Sequence, residues 1–285
     1  YNYEVHAVDA AGKLSTIATV KVTIDTTAPN VNTITNPAGA TGVSALGGTT
    51  YQFRGTASDA GVGVAKVWYQ ITQNAVAPAA GTDPAAAGYT ELVTSGTWNF
   101  TRDLVDYTPT PPAGQISEGV GYYIHVLAED ASGNRTAVAV SEEFDVDRSN
   151  PAVTESEVGV ATLVNRREGF ELIGEATDSH GIASVTITQS YDSGTAIAIS
   201  TNGPILTPNG TGFDWTLENL PRGNTAGTIG NPSTVNGTYE YQITTTDLVG
   251  KTHTIVRRIR FDSVGPTLEF TAPAEGGWQT SGDVT

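Results

Sequence analysis

Tyr122-Tyr123-Ile124-His125-Val126-Leu127-Ala128-Glu129-Asp130-Ala131-Ser132-Gly133-Asn134 is the stretch that decides the fold. Tyr122, Ile124, Val126 and Ala128 share one parity, and that parity is apolar. Alternation with period two marks a β-strand with one face against a core. A helix would scatter the same residues around its axis. Asp130-x-x-Gly133 then reads as a hairpin turn, with glycine at the position that takes positive φ.

Two other segments carry the same pattern. Tyr1, Tyr3, Val5 and Ala7 precede Asp9-x-x-Gly12, and Tyr239, Tyr241, Ile243 and Thr245 precede Asp247-x-x-Gly250. The three aspartates recur at intervals of 121 and 117 residues. The other parity carries Asn2, Glu4 and His6, or Glu240, Gln242 and Thr244, which belong in water. Each copy runs on through a second strand into a linker, at Asp25-Thr26-Thr27-Ala28-Pro29, Asp147-Arg148-Ser149-Asn150-Pro151 and Asp262-Ser263-Val264-Gly265-Pro266. Proline cannot donate to a ladder, so it suits a junction or a strand start.

Two more echoes keep the same order. Phe53-Arg54-Gly55-Thr56-Ala57-Ser58-Asp59 matches Leu172-Ile173-Gly174-Glu175-Ala176-Thr177-Asp178, and Trp98-Asn99-Phe100 is set against Phe213-Asp214-Trp215. Self-similarity at a fixed period is the mark of repeat architecture. The frame predicts a C-terminal hairpin of a preceding domain at 1–25, complete domains at 29–147 and 151–262, and the start of a further domain at 266–285. It also predicts a piece of a longer chain, with secretion signals and anchors elsewhere. Segments 78–88, 108–119 and 221–237, rich in proline and glycine, read as loops.

Composition narrows the function. The chain has 285 residues, no cysteine, and 30 acidic against 14 basic side chains, for a net charge of −16. A disulfide framework and thiolate metal sites are excluded. Nucleic acid is an unsuitable partner, because binding its backbone needs a basic footprint. No run of 18 apolar residues marks a membrane-inserted segment. Four scattered histidines form no zinc spacing; His6 and His125 fall on the parity expected to face solvent. Trp68 lies opposite Val67, Tyr69 and Ile71 in parity and is expected on the outer face. Asp178-Ser179-His180 holds the residue types of a catalytic triad but reads as a turn.

Roughly 115 residues of short strands per repeat is the size of an immunoglobulin-type sandwich, so the expected fold class is all-β, in tandem immunoglobulin-like β-sandwich domains. The Gly-x-Ala-x-Asp, Tyr-x-(Val/Ile)-x-(Ala/Thr)-x-Asp-x-x-Gly and Asp-x-x-x-Pro signatures together resemble the bacterial immunoglobulin-like (Big-type) repeats of surface adhesins, biofilm proteins and fibre stalks. Lys13 and Lys251 depart from that pattern, where Asn134 keeps it. The resemblance implies a non-enzymatic, extracellular structural or adhesive segment: a stalk, or a building block of a fibre or surface layer. Its partners would be neighbouring immunoglobulin-like domains of the same chain, lateral copies, or a surface glycan or protein. The alternatives are a carbohydrate- or protein-binding module and accessory domains of a secreted enzyme.

In such a sandwich the linker, the loop after the second strand and the last hairpin loop meet at one end. That topology predicts acidic clusters of Asp25, Asp59 and Asp130, and of Asp147, with Asp145 nearby, Asp178 and Asp247. Calcium takes six to eight oxygen ligands, and carboxylates with backbone carbonyls supply them. The expected cofactor is calcium at the junctions. The simpler reading is that each aspartate only caps its own turn.

Overall fold

The computed structural model describes residues 1–37, 44–77, 82–93, 95–136, 140–158, 163–199, 203–223 and 232–269. Every regular element among them is a β-strand. The chain divides into two compact units, Tyr1–Ser149 with Leu248–Lys251, and Asn150–Asp247 with Thr252–Thr285. Most of the segment expected to start a further domain lies outside the described residues, as do parts of the 78–88 and 221–237 loops.

The first unit opens with the hairpin β1 (Asn2–Val5) and β2 (Ala18–Lys21). Its sandwich comprises β3 (Asn30–Asn36), β4 (Ser44–Gly47), β5 (Thr50–Ser58), β6 (Val64–Thr72), β7 (Thr90–Val93), β8 (Thr97–Val105), β9 (Gln115–Ser117), β10 (Gly119–Asp130) and β11 (Val140–Asp147). One sheet runs β3-β5-β8-β9 and the other β4-β11-β10-β6-β7. The first strands of the sandwich serve both sheets: β3 pairs antiparallel with β5, and β4 pairs parallel with β11. The expected parity holds in β10, where Ile124, Val126 and Ala128 are fully buried against the facing sheet.

The second unit repeats the plan. Its strands are β12 (Ala152–Val153), β13 (Val164–Arg166), β14 (Phe170–Thr177), β15 (Ile182–Tyr191), β16 (Ile197–Ala198), β17 (Ile205–Asn209), β18 (Gly212–Leu220), β19 (Gly237–Asp247) and β20 (Thr252–Phe261). The sheets run β12-β14-β18-β17 and β13-β20-β19-β15-β16. Tyr239, Tyr241, Ile243 and Thr245 are buried as the alternation requires. Both units are therefore immunoglobulin-like sandwiches, each with its own apolar core.

A glycine and a tryptophan hold the centre of each core. Gly55 pairs across the ladder with Trp98, and Gly174 with Trp215. Both indoles are buried. A Cβ on Gly55 would stand 2.4 Å from the Trp98 ring and 2.2 Å from the Thr33 carbonyl oxygen; on Gly174 it would stand 2.5 Å from Trp215 and 1.9 Å from the Thr154 oxygen. The glycine of the Gly-x-Ala-x-Asp signature is thus the floor on which the indole lies. This register also corrects the aromatic echo read from sequence. Trp98 corresponds to Trp215, two residues along from the assumed Phe213, a shift that preserves parity and so leaves the face unchanged.

Other expectations are corrected. Tyr1, Tyr3 and Val5 are exposed, because β1 and β2 form a sheet of two strands that no described strand covers. His125 is fully buried: its Nδ1 lies 2.5 Å from the Ser141 hydroxyl and its Nε2 2.9 Å from the Asn74 carbonyl. Trp68 is buried too, with Nε1 donating to Glu129 Oε2 at 3.2 Å and the Lys66 ammonium 5.4 Å from the ring centre. Parity placed both residues on the outer face of the sheet, but polar neighbours cover that face. Residues 115–117, read as loop, form β9 and pair parallel with β8.

Candidate functional site

The Asp-x-x-Gly turns fold alike because the aspartate organises them. In the first turn Asp9 Oδ1 accepts the N–H groups of Ala11 and Lys13, both at 2.9 Å, and Gly12 takes φ of +80°. In the second, Asp130 Oδ1 accepts those of Ser132 and Asn134 at 2.8 and 2.9 Å, with Gly133 at φ of +86°. Asn134 Nδ2 adds a bond to Asp130 Oδ2 at 2.8 Å and another to the Asp25 carbonyl oxygen at 3.0 Å. Asp9 shows that the capping role needs no neighbouring carboxylate.

Asp130 has neighbours of its own kind. Carboxylate oxygens of Asp25, Asp59 and Asp130 all lie within 4.8 Å of one another. Asp59 follows β5, where its Oδ2 accepts the N–H groups of Gly61 and Gly63 at 2.9 and 2.8 Å. Asp25 Oδ2 reaches the same loop at Val62 N–H, 2.8 Å away, while its Oδ1 accepts Thr27 N–H at 2.9 Å. Gly61 leaves room for that approach, since a Cβ there would lie 1.9 Å from Asp25 Oδ2. Asp59 Oδ1 is buried and has no hydrogen-bond partner. None of the three aspartates is ion-paired among the described residues.

Burial alone would raise the Asp130 pKa. Hydrogen bonds from the Asn134 side chain and from the N–H groups of Asn134, Ser132 and Gly133 outweigh it and hold the carboxyl below its ordinary 3.8. A depressed folded-state pKa stabilises the fold above the unfolded-state value and loses that contribution as pH falls through the folded one. Thermal melts of the first unit should therefore fall in Tm as pH drops below about 4. In Asp130→Asn the fall should be shallower over that window.

The other sequence-predicted aspartates sit differently. Asp145, on β11, accepts the N–H of Gly121 through Oδ1 at 2.7 Å, where β10 is irregular. Asp147 is fully buried, and the Lys251 ammonium, counted in the same unit, lies 3.5 Å from its Oδ1 and donates to its backbone oxygen. Lys251 stands at the repeat position of Asn134, so a built-in cation serves Asp147. In the second unit Asp178 Oδ1 accepts His180 N–H at 2.7 Å, and Asp247 is buried at the end of β19. Within that unit taken by itself, no three acidic or histidine ligand atoms come together among the described residues.

The Asp178-Ser179-His180 turn has no triad arrangement. Ser179 Oγ lies 3.0 Å from His180 Nδ1, the nitrogen that a triad assigns to its acid, and the Asp178 carboxylate takes the backbone of His180. Sequence reasoning missed a buried ion pair in the second unit. Arg257 Nε is 2.9 Å from Glu155 Oε2, and Glu155 Oε1 accepts the N–H groups of Glu157 and Val158. Its members are 102 residues apart, and no local pattern links them.

No protein-family model and no curated protein sequence matches this chain. Among solved structures, the chain is similar to the fibronectin(III)-like modules of Clostridium thermocellum CbhA at 12% identity, over 85% of this chain and 99% of that one, with a TM-score of 0.34. It is similar to Rst D1-D2 at 9% identity, over 83% and 100%, with a TM-score of 0.42. It is also similar to a tetra-tandem repeat in the extending region of a large adhesion protein at 17% identity, over 92% of this chain and 56% of that one, with a TM-score of 0.31.

Proposed function

We propose that this chain is a non-enzymatic structural segment of an extracellular, surface-displayed protein, and that Asp25, Asp59 and Asp130 hold one calcium ion. Two sandwiches built on one plan, each with a separate core, support the structural reading. The observation that carries the calcium reading is the approach of three carboxylates to within 4.8 Å, with Asp59 Oδ1 buried and unpartnered among them. Like charges so close repel unless a proton or cation intervenes, and a hard cation accepts oxygen ligands of this kind. Asp25 belongs to the linker, so an ion there ties the linker to the loops after β5 and β10. Asp147 already has the Lys251 ammonium beside it, so the Asp25, Asp59 and Asp130 cluster is the one proposed to hold the ion.

Calorimetric titration of the chain with calcium tests this. The expected result is one equivalent, with Kd of about 0.1–1 mM, as for extracellular calcium modules. At a hundred-fold excess over Kd the ion should add about 2.7 kcal/mol to the stability of the first unit, and chelator should remove it. Asp59→Asn should abolish binding while the N–H bonds to Asp59 Oδ2 keep an acceptor. Absence of heat at 10 mM calcium, or equal binding by Asp59→Asn, contradicts the assignment.

A further inference from the structure

The inward-facing row of β8 reads Trp98, Phe100, Arg102 and Leu104. Three members are buried apolar side chains, and the fourth is an arginine. Its guanidinium lies 5.2 Å from the centre of the Tyr69 ring and 5.0 Å from that of Phe100, the two rings being stacked. One terminal nitrogen donates to the Thr101 carbonyl oxygen at 3.0 Å and the other to the Tyr69 hydroxyl. Two of five donors are thereby used. Among the described residues Arg102 has no carboxylate within salt-bridge distance, in a chain where acids outnumber bases two to one. Burial lowers its pKa, with no acidic neighbour to offset the cost.

Arg102 lines a cavity of about 340 Å³ between the two sheets of the first unit. Tyr69, Tyr122 and Ile71 give it apolar and aromatic walls, and Gln115 and Thr90 add neutral hydrogen-bonding groups. No lining residue is acidic. A cavity of the second unit is the contrast: Arg166 there shares the lining with Glu157, Glu171 and Glu218, so that pocket offers no net positive charge.

We propose that the Arg102 cavity binds a carboxylated monosaccharide of the hexuronate kind. The spare guanidinium donors take the carboxylate in a charge-assisted pair, the tyrosine and isoleucine walls take the ring, and the amide and hydroxyl groups take sugar hydroxyls. The volume lies at the small end of ligand sites and suits a single ring. None of the three clustered aspartates lines this cavity, so the proposal stands apart from the calcium reading.

Titration of the 285-residue chain with glucuronate, glucose and acetate, all in chelator, tests it. A ligand of this size in a pre-formed site is expected at Kd of about 1 mM. Glucose and acetate should each bind at least about tenfold more weakly, since each lacks half of the recognition. Arg102→Gln should lose at least about tenfold in glucuronate affinity. Should that variant misfold, the unaltered protein still decides: the side-chain Nε–H resonance of Arg102 should shift on glucuronate addition and stay put with glucose. Silence of that resonance with glucuronate at 10 mM, glucose binding as tightly as glucuronate, or acetate binding as tightly would each overturn the proposal.

Discussion

Gly174→Ala is expected to destabilise the second unit by at least about 3 kcal/mol, the upper range for overpacking a close-packed core. The added methyl would stand 1.9 Å from the Thr154 carbonyl oxygen and 2.5 Å from the Trp215 ring. Neither obstacle yields easily. The oxygen belongs to the backbone beside β14, where Thr154 N–H bonds to the Glu175 carbonyl. The indole is fully buried among Leu172, Leu217 and their neighbours. Shrinking the ring in Gly174→Ala/Trp215→Phe should recover only part of the loss, because the carbonyl still collides. Gly55→Ala should damage the first unit in the same way. Gly265, with nothing within 4 Å of its added Cβ and no positive φ, is the control: Gly265→Ala should leave both units unchanged. Residue-resolved hydrogen exchange reads the two units separately. Retention of native protection in β14 and β18 of Gly174→Ala would refute the glycine–indole account.

The second large effect is expected at the buried ion pair. The Glu155 side chain is fully shielded from solvent and that of Arg257 nearly so. Glu155→Ala would leave a buried guanidinium without its partner and strip the acceptor from the N–H groups of Glu157 and Val158. Removing one partner of such a pair typically costs about 3–5 kcal/mol, against total domain stabilities of about 5–15 kcal/mol. Replacing both members with apolar residues, as in Glu155→Leu/Arg257→Leu, should cost less than Glu155→Ala alone, because no charge is left stranded. Urea unfolding of the second unit measures the difference. A double variant less stable than the single one would show that the pair contributes through packing rather than charge.

These sites show what was legible in the sequence. Alternation in the Tyr122 and Tyr239 segments gave the core-facing side of β10 and β19, because strand parity is local. The turn aspartates were legible too, since Asp9 and Asp130 bond to N–H groups two and four residues on. Parity failed for His125 and Trp68. It assigns a side chain to a sheet face but says nothing of what covers that face, and Asn74, Ser141, Lys66 and Glu129 are brought there by tertiary structure. Tyr3 and Val5 failed the other way, with the right pattern and no covering layer. The Gly55–Trp98 pairing joins two motifs read separately from the sequence; the contact between them needed the cross-strand register. Glu155–Arg257 and the inward Arg102 left no periodic signal, because each depends on one non-repeated residue.

Single-molecule extension of the chain tests whether its two sandwiches, each with its own core, unfold as separate units. Two unfolding events are expected, each lengthening the chain by roughly 35 nm, the extended length of about 110–120 residues less the folded span. Calcium should raise the force of one event, and Asp59→Asn should cancel that rise. A single event, or smooth extension without discrete steps, would contradict the account.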